Sequence, residues 1–155
     1  VTPTDFIAAI APAARASMSA SKIPASFTIA EAALESAWGA SGLAVQARNL
    51  FGVKADASWK GDVLVMNTRE FLHGAWTIVI AKWRKYADWR GCMDDHAAFL
   101  HSNRRYFAAF SHAGDAEAFA HAIAAAGYAT DPAYANKIIS VMRAHNLAQF
   151  DKGLP

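Results

Sequence analysis

The chain is short of several things, and each shortage removes a class of protein. One cysteine, Cys92, stands in 155 residues, so no disulfide framework holds the fold, and an unpaired thiol reads first as a small buried side chain. Charged residues make up 18%, and 15 Lys and Arg against 13 Asp and Glu leave a net charge of +2, far from the basic density of a nucleic-acid binder. No stretch reaches the roughly 18 unbroken apolar residues of a membrane span. The opening Val-Thr-Pro-Thr-Asp-Phe lacks the basic flank and apolar core of a signal peptide. The expectation is a soluble domain without nucleic-acid or membrane partners. If it works outside the cytoplasm, export comes from a removed segment, a larger parent protein, a non-classical route or lysis. There is also no G-x-S-x-G elbow, no P-loop and no G-x-G-x-x-G, the usual supports of serine nucleophiles and nucleotide binding. The six histidines are scattered, and His96 and His101 lack the three- or four-residue spacing that puts two imidazoles on one helical face. No metal and no cofactor are expected.

What remains is apolar: 54% of residues are hydrophobic, and alanines between larger side chains point to closely packed helices. The length fits a single domain over residues 1–155 with one core. Phe6, Ile7, Ile10, Ala14 and Met18 recur at helical spacing, predicting a helix from Thr4 to about Ser19. Pro24 suits the first turn of a second helix that runs to about Trp38, with Gly39 as its stop. A short third helix is expected over 41–47. From Asp62 to Tyr86 the pattern turns β-branched and aromatic around His73-Gly74, predicting an antiparallel hairpin within a β lobe of about 56–86. Helical spacing returns after Asp88, Asp115 suits an N-cap, and Asp131-Pro132 looks like the opening of the last helix.

Glu31 and Glu35 lie four residues apart on the second helix, a like-charge spacing that costs a few tenths of a kcal/mol if both ionise. Two readings are open. Both acids are solvated on an exposed face, or one sits in a partly apolar cleft and keeps its proton near neutral pH, as a general acid must. The C-terminal end of a helix also opposes ionisation of a nearby acid. Glu70, in the hairpin, is either a second catalytic carboxylate or a strand-end residue paired with Arg69 or Lys82. Trp38, Trp76, Tyr128 and Tyr134 are either core residues or platforms for sugar rings. The runs Trp83-Arg84-Lys85-Tyr86 and Asn103-Arg104-Arg105-Tyr106 interleave basic and aromatic side chains, as a backbone-binding surface or as ordinary strand and helix surfaces.

Six ordered segments resemble one family. Ala32-Ala33-Leu34-Glu35-Ser36-Ala37-Trp38-Gly39, Asn49-Leu50-Phe51-Gly52-Val53-Lys54, Thr68-Arg69-Glu70-Phe71, Lys82-Trp83-Arg84-Lys85-Tyr86, Asn103-Arg104-Arg105-Tyr106 and Gly127-Tyr128-Ala129-Thr130-Asp131-Pro132 with Tyr134 are similar to motifs of bacterial endo-β-N-acetylglucosaminidases. That family includes the C-terminal domain of the flagellar rod-cap peptidoglycan hydrolase. The resemblance implies an α+β, mainly α, lysozyme-like fold, with a helical lobe carrying Glu35 facing a small antiparallel β lobe carrying Glu70 across a cleft. It implies cleavage of the β-1,4 bond between N-acetylglucosamine and N-acetylmuramic acid in peptidoglycan glycan strands. Glu35 matches the general acid, Glu70 a second carboxylate and Tyr128 a cleft tyrosine; Trp38, Trp76 and Tyr134 are the candidates for substrate binding. It also implies a periplasmic setting, with flagellar rod proteins as partners through a further N-terminal domain. Two departures stand out: Glu31 replaces the family's usual Gln and bears on the protonation of Glu35, and Ala37 replaces a usual Gly. The rival readings are a lytic transglycosylase or muramidase, such as a phage endolysin, and a non-catalytic wall-binding module.

Overall fold

The Thr2 hydroxyl accepts a hydrogen bond from the Asp5 amide at 3.1 Å and Pro3 takes the first turn, so α1 starts at Pro3 and runs to Ser21, where Lys22 ends it in a left-handed conformation, φ 64°. The computed structural model describes residues 1–152. Six α-helices surround a hairpin in chain order: α1, α2 (Ala25–Glu35), α3 (Gly42–Ala47), β1 (Asp62–Leu72), β2 (Ala75–Lys85), α4 (Trp89–Ser102), α5 (Ala116–Ala125) and α6 (Tyr134–Ala144). Two 3₁₀ segments, Arg104–His112 and Leu147–Asp151, complete the fold. The result is mainly helical with a small two-stranded antiparallel sheet.

Helix α2 is the core. Every residue from Ala25 to Ala33 is buried, with Phe27 edge-on to Phe119 of α5 at 5.0 Å. Burying Phe27 and Ile29 contributes on the order of 1.5–3 kcal/mol each. The helix ends at Glu35, earlier than the spacing to Trp38 predicts. The Ser36 hydroxyl donates to the Ala32 carbonyl at 2.6 Å and accepts from the Gly39 amide at 2.9 Å, while Trp38 N–H returns to the Ala33 carbonyl at 2.8 Å. Ala37 and Trp38 take left-handed backbones, φ 50° and 57°, which side-chain-bearing residues adopt at a cost of about 1–3 kcal/mol each. Packing of the Trp38 ring on Phe6 and His145 offsets that strain. Gly39 is required: a Cβ there would meet the Phe6 ring at 2.8 Å.

The hairpin turns on His73 and Gly74, both with positive φ, the requirement of a two-residue type I′ turn. Pairs Val63↔Arg84 through Phe71↔Trp76 share one face, and pairs Leu64↔Trp83 through Leu72↔Ala75 the other. Asn49, almost fully buried, joins the hairpin to the helices. Its amide donates to the carbonyls of Val53 and Arg84, both at 2.9 Å, and its oxygen accepts from Val53 N–H at 3.0 Å. That gives hydrogen-bond partners to three backbone groups, of which the Val53 carbonyl also accepts from Arg84 N–H at 3.1 Å, and explains an Asn before the Leu-Phe-Gly turn. Cys92 is buried beneath it, and burial pushes its thiol up to about 12.

Asp88 and Asp115 cap α4 and α5 as expected, accepting from Gly91 N–H at 2.7 Å and Ala118 N–H at 3.1 Å. The last helix starts later than Asp131-Pro132 suggests: Asp131 accepts from Ala133 N–H at 2.8 Å, which forms a local turn and delays α6 to Tyr134. The two 3₁₀ segments were not expected.

Pro24 supplies no side-chain cap to α2. Asp151 does so from 125 residues away, accepting from Ser26 N–H at 2.8 Å and from the Ser26 hydroxyl at 2.6 Å. Asp151→Ala is expected to lower unfolding free energy by about 1–2 kcal/mol, as a lost N-cap does, read as a lower denaturant midpoint with an unchanged m-value.

Candidate active site

Because α2 is buried from Ala25 to Ala33, its last two residues, Leu34 and Glu35, are the ones that reach solvent, and the polar one is Glu35. It opens into a cleft of about 740 Å³ whose walls include Phe51, Arg84, Asp95, His96, Arg105 and Tyr128. Desolvation raises the pKa of the Glu35 carboxyl from its ordinary value, and the Glu31 charge one turn back adds to the effect; His96 opposes it. The helix terminus also disfavours negative charge there. This is the condition for a group that donates a proton near neutral pH.

Behind Glu35 lies a buried polar cluster. Glu31 is fully buried, and its Oε1 accepts a hydrogen bond from the Tyr128 hydroxyl. His96 Nε2 is 3.1 Å from the same oxygen, but off the line a hydrogen bond needs. Tyr134, also buried, stacks tilted on Tyr128 at 5.4 Å between ring centroids. Burial, then Glu31, holds both phenols far above their usual range, so both stay neutral. Tyr128 therefore spends its one proton on Glu31 and offers oxygen lone pairs elsewhere.

The remaining candidates are spread out. Glu70 sits on β1 with its side chain 40% exposed and pairs with Lys54 at 3.8 Å, not with Arg69 or Lys82; it is not part of the cleft wall. Trp76 lies near the hairpin tip, 65% exposed, with Phe71 edge-on at 5.5 Å and the Arg69 guanidinium 5.4 Å over its ring. Trp38 is outside the cleft, wedged between Phe6 and His145. The structure thus brings together Glu35, Tyr128 and Tyr134, and leaves Glu70, Trp76 and Trp38 apart from them. Arg84 and Tyr86 of the basic-aromatic run are committed to Asp95, at 2.8–2.9 Å and 2.6 Å, a network that ties β2 to α4. His96 had no signal in the sequence beyond its place on the buried face of α4. Among the described residues no three His, Cys, Asp or Glu side chains converge as a metal site would.

The sequence and the fold both have relatives. Residues 11–147 match the family model described as mannosyl-glycoprotein endo-β-N-acetylglucosaminidase. The chain is 41% identical over 143 residues to the peptidoglycan hydrolase FlgJ of Salmonella typhimurium, covering 90% of this chain and 45% of that protein. It is 41% identical over 134 residues to the exo-glucosaminidase LytG of Bacillus subtilis, covering 84% and 47%. It spans less than half the length of these relatives. Among solved structures, a C-terminally truncated glycoside hydrolase domain of Salmonella FlgJ superposes with a TM-score of 0.82 at 40% identity, over 94% of this chain and 98% of that one. The catalytic domain of the Listeria monocytogenes autolysin Auto gives 0.84 at 29% identity, over 96% and 87%.

A carboxyl whose pKa is raised on folding destabilises the native state once pH passes the unfolded value, because the unfolded chain then ionises more readily. Glu35→Gln is therefore expected to unfold at the same temperature as wild type in strong acid, and at a higher temperature from above the ordinary carboxylate range through neutrality. Thermal melts of the two proteins across that range check the sign.

Proposed function

Because the chain belongs to the glucosaminidase family, we propose that it hydrolyses peptidoglycan glycan strands at the β-1,4 bond between N-acetylglucosamine and N-acetylmuramic acid, with Glu35 as the general acid. The observation that carries this reading is the Glu35 carboxyl at the cleft, its ionisation opposed by desolvation and by Glu31. In the reaction, Glu35 gives its proton to the glycosidic oxygen as the bond from that oxygen to C1 breaks.

Two groups can supply the electrons that stabilise C1. Water can be activated by Glu70, or the substrate's own 2-acetamido carbonyl oxygen can attack C1 and form a cyclic oxazolinium ion. Water then opens that ion and its proton returns to Glu35. The position of Glu70 beside Lys54 and outside the cleft wall favours the second route in the absence of hairpin closure, since the acetamido oxygen arrives with the substrate. Tyr128, its proton committed to Glu31, serves as an acceptor that orients the acetamido N–H or the incoming water. Tyr134 supports Tyr128 from behind, while Trp76 and Phe71 offer exposed rings at the hairpin on which a longer glycan strand stacks. Trp38 keeps the helix end in place instead of touching sugar.

We assign the chain to the wall outside the cytoplasm, in the periplasm, serving flagellar rod assembly through parts of a longer protein, on the strength of relatives named FlgJ. The second reading, a wall-remodelling enzyme without flagellar partners, is favoured by the equal similarity to LytG, an exo-acting glucosaminidase by name.

Release of new reducing ends from purified peptidoglycan, with mass spectrometry of the products, tests the assignment. Wild type is expected to leave reducing N-acetylglucosamine ends, Glu35→Gln to lose on the order of 10²–10⁴ in kcat, and Glu70→Gln to lose less. Muramic or anhydro-muramic ends would reassign the bond or the reaction. No release from folded wild type would leave a wall-binding module. The length distribution of early products separates endo from exo attack.

A further inference from the structure

Glu31 is the one carboxylate in the core, with no exposed surface, and a buried carboxylate persists only where a counter-charge and hydrogen bonds replace water. The hydrogen bond comes from Tyr128. The counter-charge can come only from α4, where His96 Nε2 lies 3.1 Å from Oε1. Phe51 stacks on that ring at 4.0 Å with the planes 12° apart, and Phe99 lies nearly parallel to it at 6.3 Å and 14°. The other nearby cations are engaged elsewhere. Arg84 of β2 is bound by Asp95 and Asp56, and the Arg105 guanidinium lies 4.9 Å over the Tyr106 ring.

We propose that His96 and Glu31 form a buried positioning pair for the reaction: the His96 imidazolium balances the Glu31 carboxylate, and Glu31 holds the Tyr128 hydroxyl as a donor with its lone pairs toward the cleft. This rests on the reading of Glu35 as the acid. Neither residue touches substrate; each acts through Tyr128 and Glu35. The pair presents Glu35 with a compensated charge one helical turn away instead of a bare one. The charged and titratable groups facing Glu35 and Glu31 are Cys92, Asp95 and His96 from α4, Arg84 from β2 and Asp56 from the loop before the hairpin. Arg105 and Tyr106 come from the first 3₁₀ segment, and Tyr128 and Tyr134 from the segment after α5 and from α6. Of these, His96 is the basic side chain that contacts Glu31, so its removal strands the carboxylate.

The test uses the full chain carrying Glu31→Gln, His96→Phe or both. Phenylalanine keeps the stack on Phe51 and deletes the charge; glutamine keeps an oxygen for Tyr128 and deletes the carboxylate. Melting temperatures at neutral pH are expected to fall most for His96→Phe and to recover in the double variant, because the second change removes the stranded carboxylate. Carbon-13 NMR titration of the Glu35 carboxyl is expected to move its midpoint to lower pH in Glu31→Gln. In kinetics that variant keeps its KM, and its kcat/KM falls at neutral pH but not below the Glu35 midpoint. A double variant no more stable than His96→Phe, unfolded included, overturns the pairing, and an unmoved Glu35 midpoint overturns the link to the acid. The melts and the titration need no turnover, so inactivity of wild type would defeat the glucosaminidase reading without deciding this one.

Discussion

Helix α2 has no solvent side until its final turn, and that single condition arranges the rest of the molecule. A helix buried on all faces must be sheathed by others, and α1, α5, α6 and the last 3₁₀ turn all pack on it. Its polar residues must then be satisfied from within. Ser26 meets Asp151, Ser36 closes the C-terminal turn, and Glu31 meets Tyr128 and His96. Each of those contacts draws a distant part of the chain onto one helix, and the cleft is the gap left where the sheath stops. Glu35 stands at that edge, so its chemistry follows from where the burial ends.

The β hairpin is built on a different principle. It is attached by backbone bonds through Asn49 and by the Arg84–Asp95–Tyr86 network, while much of its apolar surface stays in water, including Val65, Phe71, Trp76, Ile78 and Ile80. A two-stranded ribbon with few tertiary contacts has low local stability. The helical lobe therefore fixes the acid rigidly, whereas Glu70 is carried on the element best able to change position relative to it.

Much of this was legible in the sequence, because local physics dominates where caps, turns and periodicity agree. Asp88 and Asp115 cap their helices, His73-Gly74 turns the hairpin, and the two acids fall on one helix as their spacing requires. Legibility ends where tertiary contacts take over. The stop at Glu35 depends on a serine bonding backward and on Trp38 finding Phe6 and His145, and a reading of periodicity runs through it. Glu31 and His96 belong to different helices, so their contact has no signature along the chain, and a histidine weighed as a metal ligand turns out to face a carboxylate. Trp38 shows the same limit from the other side, since an aromatic three residues from Glu35 in sequence packs outside the cleft, on Phe6 and His145.

The cap on α2 also bears on how the protein is made. Synthesis proceeds from the N-terminus, so the helix bearing the acid leaves the ribosome early, but Ser26 has no partner until Asp151 emerges 125 residues later. Tyr128, which closes the other end of the cluster, is 97 residues behind Glu31. A nascent chain therefore carries the acid long before it carries the groups that hold it in place. Assembly of the Glu31–Tyr128 cluster behind Glu35 is thus tied to near-completion of the described domain.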